Sequence, residues 1–435
     1  MTRRELIKLA TSVAYVPLLA GALVSAGCGG GSGDSIRVVP GGDGYPGTDD
    51  QLLDEIEAAA FLYYWEQADP ATGQIKDRAL ASGNDTRTLS SIAATGFGLT
   101  ALCIGDQRGY MPSQQIAARV QATLQFIRDQ LQGQNGFFYH FVDMSTGARA
   151  GSSEVSSIDT AILLCGVLTC RAHFPQTQIA SLATQIYQQV NWPWMLNGGA
   201  TLAMAWTPES GFAAGRWDHY SELMMLYLLA IGSPTYPISA SSWSAWTRPM
   251  ITYQGLTYIS AADPLFVHQY SHAWFDFRAR SDAYANYFQN SVTATEAHRL
   301  FCMGLSSRFT DYSSDLWGIT ASDSAAGYVV WGGPPPIGPI DGTVVPCAAG
   351  GSLPFVYADT IHVLRWIRGH YSQAWQRYGY VDAFNPLSGW YDSDVLGIDL
   401  GIMALMAENQ RSGFVWQTFM SNPEVVAAMT LAGFG

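Results

Sequence analysis

The sequence predicts an all-α fold in which helical hairpins close into a ring, an (α/α) toroid, with long cleft-forming loops and minor β pieces. Two observations lead to this prediction. Helical periodicity recurs about eleven times after residue 50, and no strand-rich block or low-complexity linker interrupts the series. Several of these segments are apolar on nearly every face, as expected of helices buried inside a ring.

The predicted helices follow one another along the chain, with loops rich in Gly, Pro, Trp and Asp between them. Apolar residues at helical spacing place the helices at 52–67, 90–105, 113–132, 156–173, 177–190, 218–231, 238–249, 281–304, 355–371, 397–411 and 421–432. Short β pieces are predicted in 134–150, where aromatic residues alternate, and in 326–331. The loops 191–215, 250–280 and 311–354 are long, and long irregular loops in a compact domain are usually functional.

Residues 1–27 are predicted to be an export signal and not part of the fold. Arg3 and Arg4 precede an apolar run that extends to Leu23, as in signals of twin-arginine type. Small residues before Cys28 and a Gly/Ser-rich segment after it indicate lipidation of this cysteine, with residues 28–50 as a flexible tether. We therefore expect a periplasmic or outer-membrane-associated lipoprotein; a soluble periplasmic protein and a non-cleaved membrane anchor are the alternatives. Residues 51–435 are predicted to form one domain.

Composition limits the partners of this protein. Charged residues make up 13% of the chain and the formal net charge is −13; loss of residues 1–27, with three cationic residues and one anionic residue, makes it −15. A chain of this charge does not attract nucleic acid or anionic lipid. We expect a monomer that contacts the membrane only through its N-terminal lipid. The 14 Trp and 22 Tyr suit a sugar ligand, whose C–H faces stack on aromatic rings.

The cysteines and histidines predict neither a metal site nor another cofactor. The five cysteines after Cys28 have no CxxC or Cys/His spacing, so the sequence offers neither a disulfide framework nor a zinc site. Cys103, Cys165 and Cys170 lie in apolar helical segments and are predicted core residues. The histidines at 268, 272 and 298 do not share a helical face with acids at ligand spacing.

Glu222 is the leading candidate for a catalytic acid. It is predicted in the first turn of helix 218–231, and the rest of that helix is apolar for two to three turns. Trp217, His219 and Tyr220 crowd it, and partial burial favours the neutral carboxyl that a general acid requires. The alternative is a first-turn glutamate that only stabilises the helix dipole.

Asp399 stands in the same setting at the start of helix 397–411, and it is the predicted water-activating base. Its flanking glycines allow close approach of the backbone; the alternative is a plain N-terminal cap. Glu154 and Asp159 flank the start of helix 156–173, where capping is again the alternative. Acids at the mouths of buried helices suggest glycoside hydrolysis, which needs one protonated carboxyl and one ionised carboxylate.

Further residues are candidates for substrate binding. The segment 270–278 combines aromatic rings with a bidentate-capable arginine and an acid, as sugar recognition uses; the alternative is a packed loop with an internal Arg–Asp pair. The candidates, with Glu154, are Asp77, Arg78, Trp217, Tyr220, His272, Trp274, Asp276, Arg278, Asp382 and Asn385. No GxSxG elbow or phosphate-binding loop occurs, so serine-hydrolase and nucleotide-binding functions are excluded.

Nine ordered motifs resemble the bacterial glucoamylase-like family that includes endo-β-1,2-glucanases. They are SIDT at 157–160, YSE at 220–222, GSP at 232–234, HAWFDFR at 272–278, WGITASD at 317–323, DGT at 341–343, GSLP at 351–354, DAFN at 382–385 and GID at 397–399. The resemblance covers roughly residues 52–420. A departure is Leu400, where relatives often have Gln.

The resemblance implies an (α/α)6 toroid, no metal requirement, and inverting hydrolysis of β-1,2-glucan to sophorooligosaccharides. It also implies that Glu222 is the acid, that Asp399 lies on the base side, and that Asp159 and Glu154 lie in the cleft. The leading hypothesis is thus an exported endo-β-1,2-glucanase. The alternatives are a non-catalytic surface lipoprotein that holds oligosaccharides, a hydrolase of the same fold with another linkage specificity, and a lyase or epimerase. The acidic net charge disfavours a uronate substrate.

Overall fold

The computed structural model describes residues 42–435 of the chain. The predicted export signal, the Cys28 lipidation site and most of the predicted tether lie outside these residues. Within the described part, no helix is both long enough and apolar enough to span a membrane.

Thirteen α-helices occur in the described residues. They are α1 Asp49–Glu66, α2 Ile92–Arg108, α3 Ser113–Asp129, α4 Ser157–His173, α5 Gln178–Gln188, α6 Trp192–Leu196, α7 Met224–Ile231, α8 Tyr287–Gly304, α9 Pro346–Gly350, α10 Tyr357–His370, α11 Gly397–Arg411, α12 Phe414–Met420 and α13 Pro423–Leu431. Three of the short 3₁₀ turns matter below, and they span Ala240–Ser244, Leu265–His268 and Tyr270–Ala273.

The strands are two to four residues long and pair antiparallel at the ends of loops. They are β1 Arg78–Leu80, β2 Leu89–Ser91, β3 Gly133–Gln134, β4 Phe137–Phe138, β5 Phe141–Asp143, β6 Val155–Ser156, β7 Ala205–Thr207, β8 Gly211–Phe212, β9 Met250–Tyr253, β10 Leu256–Ile259, β11 Trp375–Gln376, β12 Gly379–Tyr380, β13 Phe384–Asn385, β14 Trp390–Tyr391 and β15 Asp394–Leu396. The pair β1–β15 joins the two ends of the domain, with Arg78 opposite Leu396.

Six inner segments form a closed ring, namely α2, α4, α7, the 3₁₀ turns 265–273, α9 and α11. Helix α2 packs against both α4 and α11, α4 against α7, and α9 against α11. Hydrogen bonds complete the circle at the 3₁₀ turns, where Met225 N–H donates to Ser271 Oγ and Gln269 Nε2 donates to the Ala348 carbonyl. The outer layer contains the helices α1, α3, α5, α8 and α10, and the 3₁₀ turn Ala240–Ser244 packs against α7 in place of a sixth outer helix. Inner and outer segments together form the predicted (α/α)6 toroid.

Burial distinguishes inner from outer helices. Every residue of the inner helix α7 is buried. The outer helix α5 instead buries one stripe at helical spacing, formed by Ile179, Leu182, Ala183, Ile186 and Tyr187. Where α2 crosses α4, a Cβ on Gly96 would meet the backbone of Ile162, and a Cβ on Gly166 would meet the carbonyl of Gly96. Only glycine permits this close approach.

The predicted helix 238–249 is wrong. Only the 3₁₀ turn Ala240–Ser244 forms there, because the segment is rich in serine and ends at Pro249, and both features oppose a helix. Buried Trp243 and Trp246 hold the segment by side-chain packing instead. The predicted β pieces in 134–150 are confirmed by β3, β4 and β5, whereas 326–331 contributes only an isolated bridge from Val329 to Ser322.

Two further boundaries differ from the sequence-based prediction. Helix α7 begins at Met224, not near residue 218, because isolated bridges tie Arg216 to Ala203 and His219 to Thr247 and keep that stretch extended. Residues 43–50 are not a free tether, because the Arg365 guanidinium binds the Asp43 carboxylate and donates to the Gly47 carbonyl. The folded domain therefore includes the last part of the predicted tether.

Candidate active site

A cleft of about 370 Å³ opens at the end of the ring where the inner helices begin. Residues at or beside the first turns of the inner segments line it, including Ser91, Asp159, Glu222, Phe266 and Ile398. The positive ends of the helix dipoles therefore point toward the cleft, which favours negative charge there.

Glu222 lies on the wall of this cleft, two residues before α7, and not within the helix as predicted. The residue is 8% exposed. Its backbone carbonyl accepts a 2.8 Å hydrogen bond from Ser271 Oγ, and the same hydroxyl accepts from Met225 N–H at 3.1 Å. Ser271 thus anchors the turn that carries Glu222 to the neighbouring inner segment.

Asp263 is a cleft residue that the sequence reasoning missed. Burial and the charge of nearby Glu222 together raise the pKa of its carboxyl to about 7, and His219 opposes the shift. Two carboxyls that influence each other in this way favour a state in which one of them keeps its proton. The sequence gives only a weak signal that this aspartate is functional. It precedes a proline in the loop 250–280, and the length of that loop is the only feature that predicts a function for it.

Asp159 and Glu154 meet at one imidazole on the cleft wall. His140 Nδ1 lies 3.1 Å from Glu154 Oε1 and 3.7 Å from Asp159 Oδ2. Ser156 caps α4 by accepting from Asp159 N–H at 3.1 Å, and its hydroxyl donates to Asp159 Oδ2 at 2.5 Å. Asp159 therefore takes part in the N-terminal cap of α4 and also lines the cleft. His140 was not predicted, because nothing in its local sequence separates it from an ordinary β-strand flank.

Asp77 and Arg78 line the cleft opposite these residues. Arg78 Nε donates to Asp77 Oδ2 at 3.2 Å, and Arg78 Nη1 donates to Asp323 Oδ2 at 2.5 Å. Because β1 pairs with β15, the strand that leads into α11, Arg78 is placed beside the start of that inner helix.

Asp399 lies in the first turn of α11, as predicted, but behind the cleft wall. It is 4% exposed and shares a very small buried space with Asp382 and Tyr380. The Tyr270 hydroxyl donates to Asp399 Oδ1 at 3.4 Å, and Tyr270 itself lines the cleft. Asp399 is therefore connected to the cleft by its hydrogen bond from the Tyr270 hydroxyl.

Two predicted substrate-binding aromatics next to Glu222 have different positions. Trp217 lines the cleft, and its indole Nε1 donates to Ser157 Oγ at 2.8 Å. Tyr220 does not line the cleft: it is fully buried, with its hydroxyl 3.1 Å from His268 Nδ1. Tyr220 is thus a packing residue behind Glu222.

The segment 270–278 does not form the predicted sugar-binding loop. Trp274 is fully buried and donates to Thr100 Oγ1 at 3.0 Å, and burial lowers the pKa of His272 to about 3, so this imidazole is neutral. Asp276 and Arg278 form a bidentate pair with two bonds of 2.9 Å away from the cleft. The alternative from the sequence, a packed loop with an internal Arg–Asp pair, describes this segment.

Asp382 and Asn385 also lie outside the cleft. Asp382 is 4% exposed beneath it, where burial and the charge of Asp399 raise the pKa of its carboxyl well above the usual range. Asn385 lines a separate hollow of about 340 Å³ with Thr343 and Trp390, and it donates to the Asp341 carbonyl at 3.2 Å. Both residues follow a loop whose path the sequence alone did not define.

The cleft combines the groups that acid/base chemistry on a sugar requires. Five carboxyls from four segments of the chain line one space, at Asp77, Asp159, Asp218, Glu222 and Asp263. Their environments differ in burial and partners, so one can hold a proton while another is ionised. Trp217, Phe141 and Tyr328 add aromatic walls.

Comparisons with known proteins agree with this fold. A family model described as "Putative glucoamylase" matches residues 215–423, which include Glu222, Asp263, Asp382 and Asp399. An exo-β-1,2-glucooligosaccharide sophorohydrolase (non-reducing end) of Parabacteroides distasonis is 30% identical over 422 residues, which cover 88% of this chain and 57% of the relative. The chain thus spans less than three fifths of the length of this relative.

Solved structures give the same picture. An endo-β-1,2-glucanase of Chitinophaga pinensis in complex with sophorotriose and glucose superposes with a TM-score of 0.81 at 27% identity, covering 89% of this chain and 99% of that one. A β-1,2-glucanase of Parabacteroides distasonis gives a TM-score of 0.82 at 28% identity, covering 89% and 60%. The chain is thus similar to the glucoamylase-like family over residues 215–423, and it shares the (α/α)6 toroid fold of these structures.

Proposed function

We propose that this protein is a glycoside hydrolase that cleaves β-1,2-glucan. The observation that carries the proposal is the cleft at the mouths of the inner helices, which Asp159, Glu222 and Asp263 line together and where burial and the charge of Glu222 raise the pKa of Asp263. The relatives named as β-1,2-glucanases and as a sophorohydrolase support the same substrate class.

In the proposed reaction, Glu222 is the general acid. Its proton passes to the glycosidic oxygen as the bond from that oxygen to the anomeric carbon breaks. A water molecule attacks the anomeric carbon from the opposite face of the ring, and a base takes the proton of that water. The products are a shortened glucan and a sugar of inverted configuration. Glu222 and Asp263 influence each other, and such a pair favours a state in which one of the two carboxyls keeps a proton.

We assign the base to Asp399, acting through Tyr270. Water in the cleft would give its proton to the Tyr270 oxygen while the Tyr270 hydroxyl gives its own proton to Asp399 Oδ1, 3.4 Å away. This route explains how a carboxylate behind the wall takes part. Asp159 is the competing base, because it lines the cleft directly.

Three variants separate these two bases. If the relay operates, Asp399→Asn and Tyr270→Phe each lower kcat on the order of 10²-fold or more. Asp159→Asn would then affect KM more than kcat. If Tyr270→Phe retains near-normal turnover while Asp159→Asn abolishes it, Asp159 is the base and the relay is wrong.

The function is tested by incubating the protein with linear β-1,2-glucan and, in parallel, with β-1,3-, β-1,4- and α-1,4-glucans. We expect sophorooligosaccharides of several lengths from β-1,2-glucan only, with the inverted anomer formed first. A Glu222→Gln preparation controls for contaminating enzymes. Binding without cleavage of any glucan would replace the enzyme by the oligosaccharide-holding lipoprotein.

The mode of cleavage has a second candidate, exo-type release of sophorose, because the P. distasonis relative is named as a sophorohydrolase acting at the non-reducing end. Product length distinguishes the two modes. An endo enzyme lowers the viscosity of the polymer early and releases mixed lengths, whereas an exo enzyme releases sophorose while the polymer stays long.

We further propose export by the twin-arginine-like signal and anchoring through lipidated Cys28, with a monomeric catalytic domain. The support is the sequence pattern of residues 1–34. Cys28→Ala should move the protein from the membrane fraction to the soluble periplasmic fraction. Recovery of the variant in the membrane fraction would contradict the lipid anchor.

A further inference from the structure

Three buried aspartates meet beneath the cleft and outside its lining. They are Asp323, Asp382 and Asp392, which are 7%, 4% and 7% exposed. Each residue contributes one carboxylate oxygen to a group of three, and these three oxygens lie within 4.8 Å of one another. The three residues come from separate segments: the loop after α8, the turn before β13, and the turn between β14 and β15.

Each carboxylate has one oxygen held by a donor of the protein. Asp323 Oδ2 accepts from Arg78 Nη1 at 2.5 Å, Asp382 Oδ2 accepts from Asp323 N–H at 2.7 Å, and Asp392 Oδ1 accepts from Asp394 N–H at 3.1 Å. The second oxygen of each residue is buried and accepts no hydrogen bond from a donor in the described part of the chain, and the Asp382 carboxyl also faces the carboxyl of Asp399. The three groups are thus held in place, and each keeps one oxygen without a donor.

Positive charge near this group is scarce. Among the described residues, Arg78 forms an ion pair with Asp323, and no cationic side chain lies within 4 Å of Asp382 or Asp392. An unpaired buried carboxylate is costly unless a proton or a cation neutralises it. Burial raises the pKa of all three carboxyls, to about 7 for Asp392, and the charges of neighbouring aspartates act in the same direction, so a bound cation would be stabilised here.

The number of carboxylate ligands distinguishes between cations. Calcium takes about six to eight oxygen ligands, several of them carboxylates, whereas magnesium keeps several waters and usually binds only one or two carboxylates. One oxygen of each aspartate lies within 4.8 Å of the other two, so three carboxylates can contact one ion, which favours calcium. We propose that Asp323, Asp382 and Asp392 form a calcium site beneath the cleft.

The second group of potential ligands, His140, Glu154 and Asp159, supports no such proposal. Its members are engaged with one another and with the Ser156 hydroxyl. A calcium ion at the aspartate site would instead join the Asp323 loop to the turn before β15, which leads directly into α11 and Asp399. Calcium binding would therefore stabilise the floor of the cleft, whichever glucan is the substrate.

The test uses the complete mature protein, freed of metal with EDTA, at pH 8. Calorimetric titration with CaCl2 should give one calcium per chain, with MgCl2 binding much more weakly, and calcium at a hundredfold excess over Kd should raise the Tm by about 3 °C. Asp392→Asn should weaken calcium binding at least tenfold. The matched control Glu154→Gln, in the other group, should bind calcium like the wild type.

Several results would overturn the proposal. No heat and no change in Tm for the wild type at pH 8 would mean that protons, and not a cation, neutralise the three aspartates. Unchanged calcium affinity in Asp392→Asn, or loss of binding in Glu154→Gln alone, would place the ion elsewhere. If Asp392→Asn does not fold, elemental analysis of the purified wild type before and after EDTA treatment tests for the bound ion. Calcium that is present before the treatment and lost after it supports the proposal, and no calcium before the treatment contradicts it.

Discussion

The two ends of the inner ring hold buried acids in opposite ways. At the end away from the cleft, Glu57 and Glu408 are essentially inaccessible to solvent, and each is reached by an arginine: Arg108 Nε donates to Glu408 Oε2 at 2.7 Å, and Arg411 Nη1 donates to Glu57 Oε2 at 2.6 Å. Both arginines stand in the last turns of inner helices, where a cation is favoured by the helix dipole.

At the cleft end, buried acids outnumber the cations beside them. Arg78 pairs with Asp77 and Asp323, while no arginine or lysine reaches Asp263, Asp382 or Asp392 within 4 Å in the described part of the chain. Burial raises carboxyl pKa values at both ends, to about 9 for Glu57 and about 7 for Asp263, so the two ends differ in the cations that contact their acids. The cleft end can therefore hold protons, substrate or a cation among its acids, whereas arginines contact the acids of the far end.

The largest effect should come from Glu222→Gln. It removes the proposed acid but keeps the shape, so kcat should fall on the order of 10²–10⁴-fold while the Tm changes little. The matched change at the other end, Glu408→Gln, should leave kcat close to normal in the folded protein. Steady-state kinetics on β-1,2-glucan measure both. A Glu222→Gln enzyme with more than a tenth of wild-type turnover would contradict this division of roles.

The next effect concerns stability at the far end. Arg411→Met removes the 2.6 Å hydrogen bond to buried Glu57, whose pKa is raised to about 9 by burial and by the charge of Glu408. Loss of a hydrogen bond with a charged partner costs about 1.5–3 kcal/mol. Urea unfolding measures this loss. Asp382→Asn at the cleft end, measured in EDTA, should cost much less or stabilise the protein, because it removes one of several crowded negative charges. Equal losses of unfolding free energy in the two variants would mean that buried acids contribute to stability in the same way at both ends of the ring.

A smaller effect is the pH dependence of stability contributed by Asp263. Its pKa is raised to about 7 in the folded protein, so between pH 4 and 7 the folded state binds more protons than the unfolded state. The contribution of Asp263 therefore makes stability fall as pH rises through this window. Asp263→Asn should flatten the fall in Tm between pH 5 and 7.5, measured in EDTA. A steeper fall in the variant would contradict the raised pKa.

The smallest effect is expected at Trp217, on the cleft wall. Trp217→Phe keeps an aromatic ring but loses the 2.8 Å bond to Ser157 Oγ, which should cost about 0.5–1.5 kcal/mol. We expect a KM a few-fold higher and a kcat within twofold of the wild type. Ser157→Ala removes the same bond from the other side and should match it. A large loss of kcat in Trp217→Phe alone would give the indole a direct part in the reaction.

Much of the fold was predictable because inner and outer helices have different periodicity. Ten of the eleven predicted helical regions contain an α-helix, and α11 has the predicted bounds, since apolar spacing is a local signal. Helix 238–249 failed because buried tryptophans held a serine-rich segment in the core without a helix. The short helices α6, α9 and α12 were missed, because five to seven residues carry too little periodicity.

The candidate site was predictable only in part. Glu222, Asp159, Asp77, Arg78 and Trp217 line the cleft, as acids and aromatics near the mouths of helices suggested. Asp263 and His140 were missed because they lie on loops, where no periodicity reports which way a side chain points. His272, Trp274 and Tyr220 look like sugar-binding residues in sequence, but the core buries them.

The sequence by itself determined that helices would form, which of them would be buried on all sides, and that acids would stand near their first turns. These properties depend on neighbours within about one helical turn. The tertiary structure alone decided which acids share a space and which cations reach them. Arg78 lies 245 positions from its partner Asp323 in sequence, and Asp399 lies 129 from Tyr270. Closure of the ring brings such residues together, and the resulting burial and charge spacing set the chemistry of the cleft.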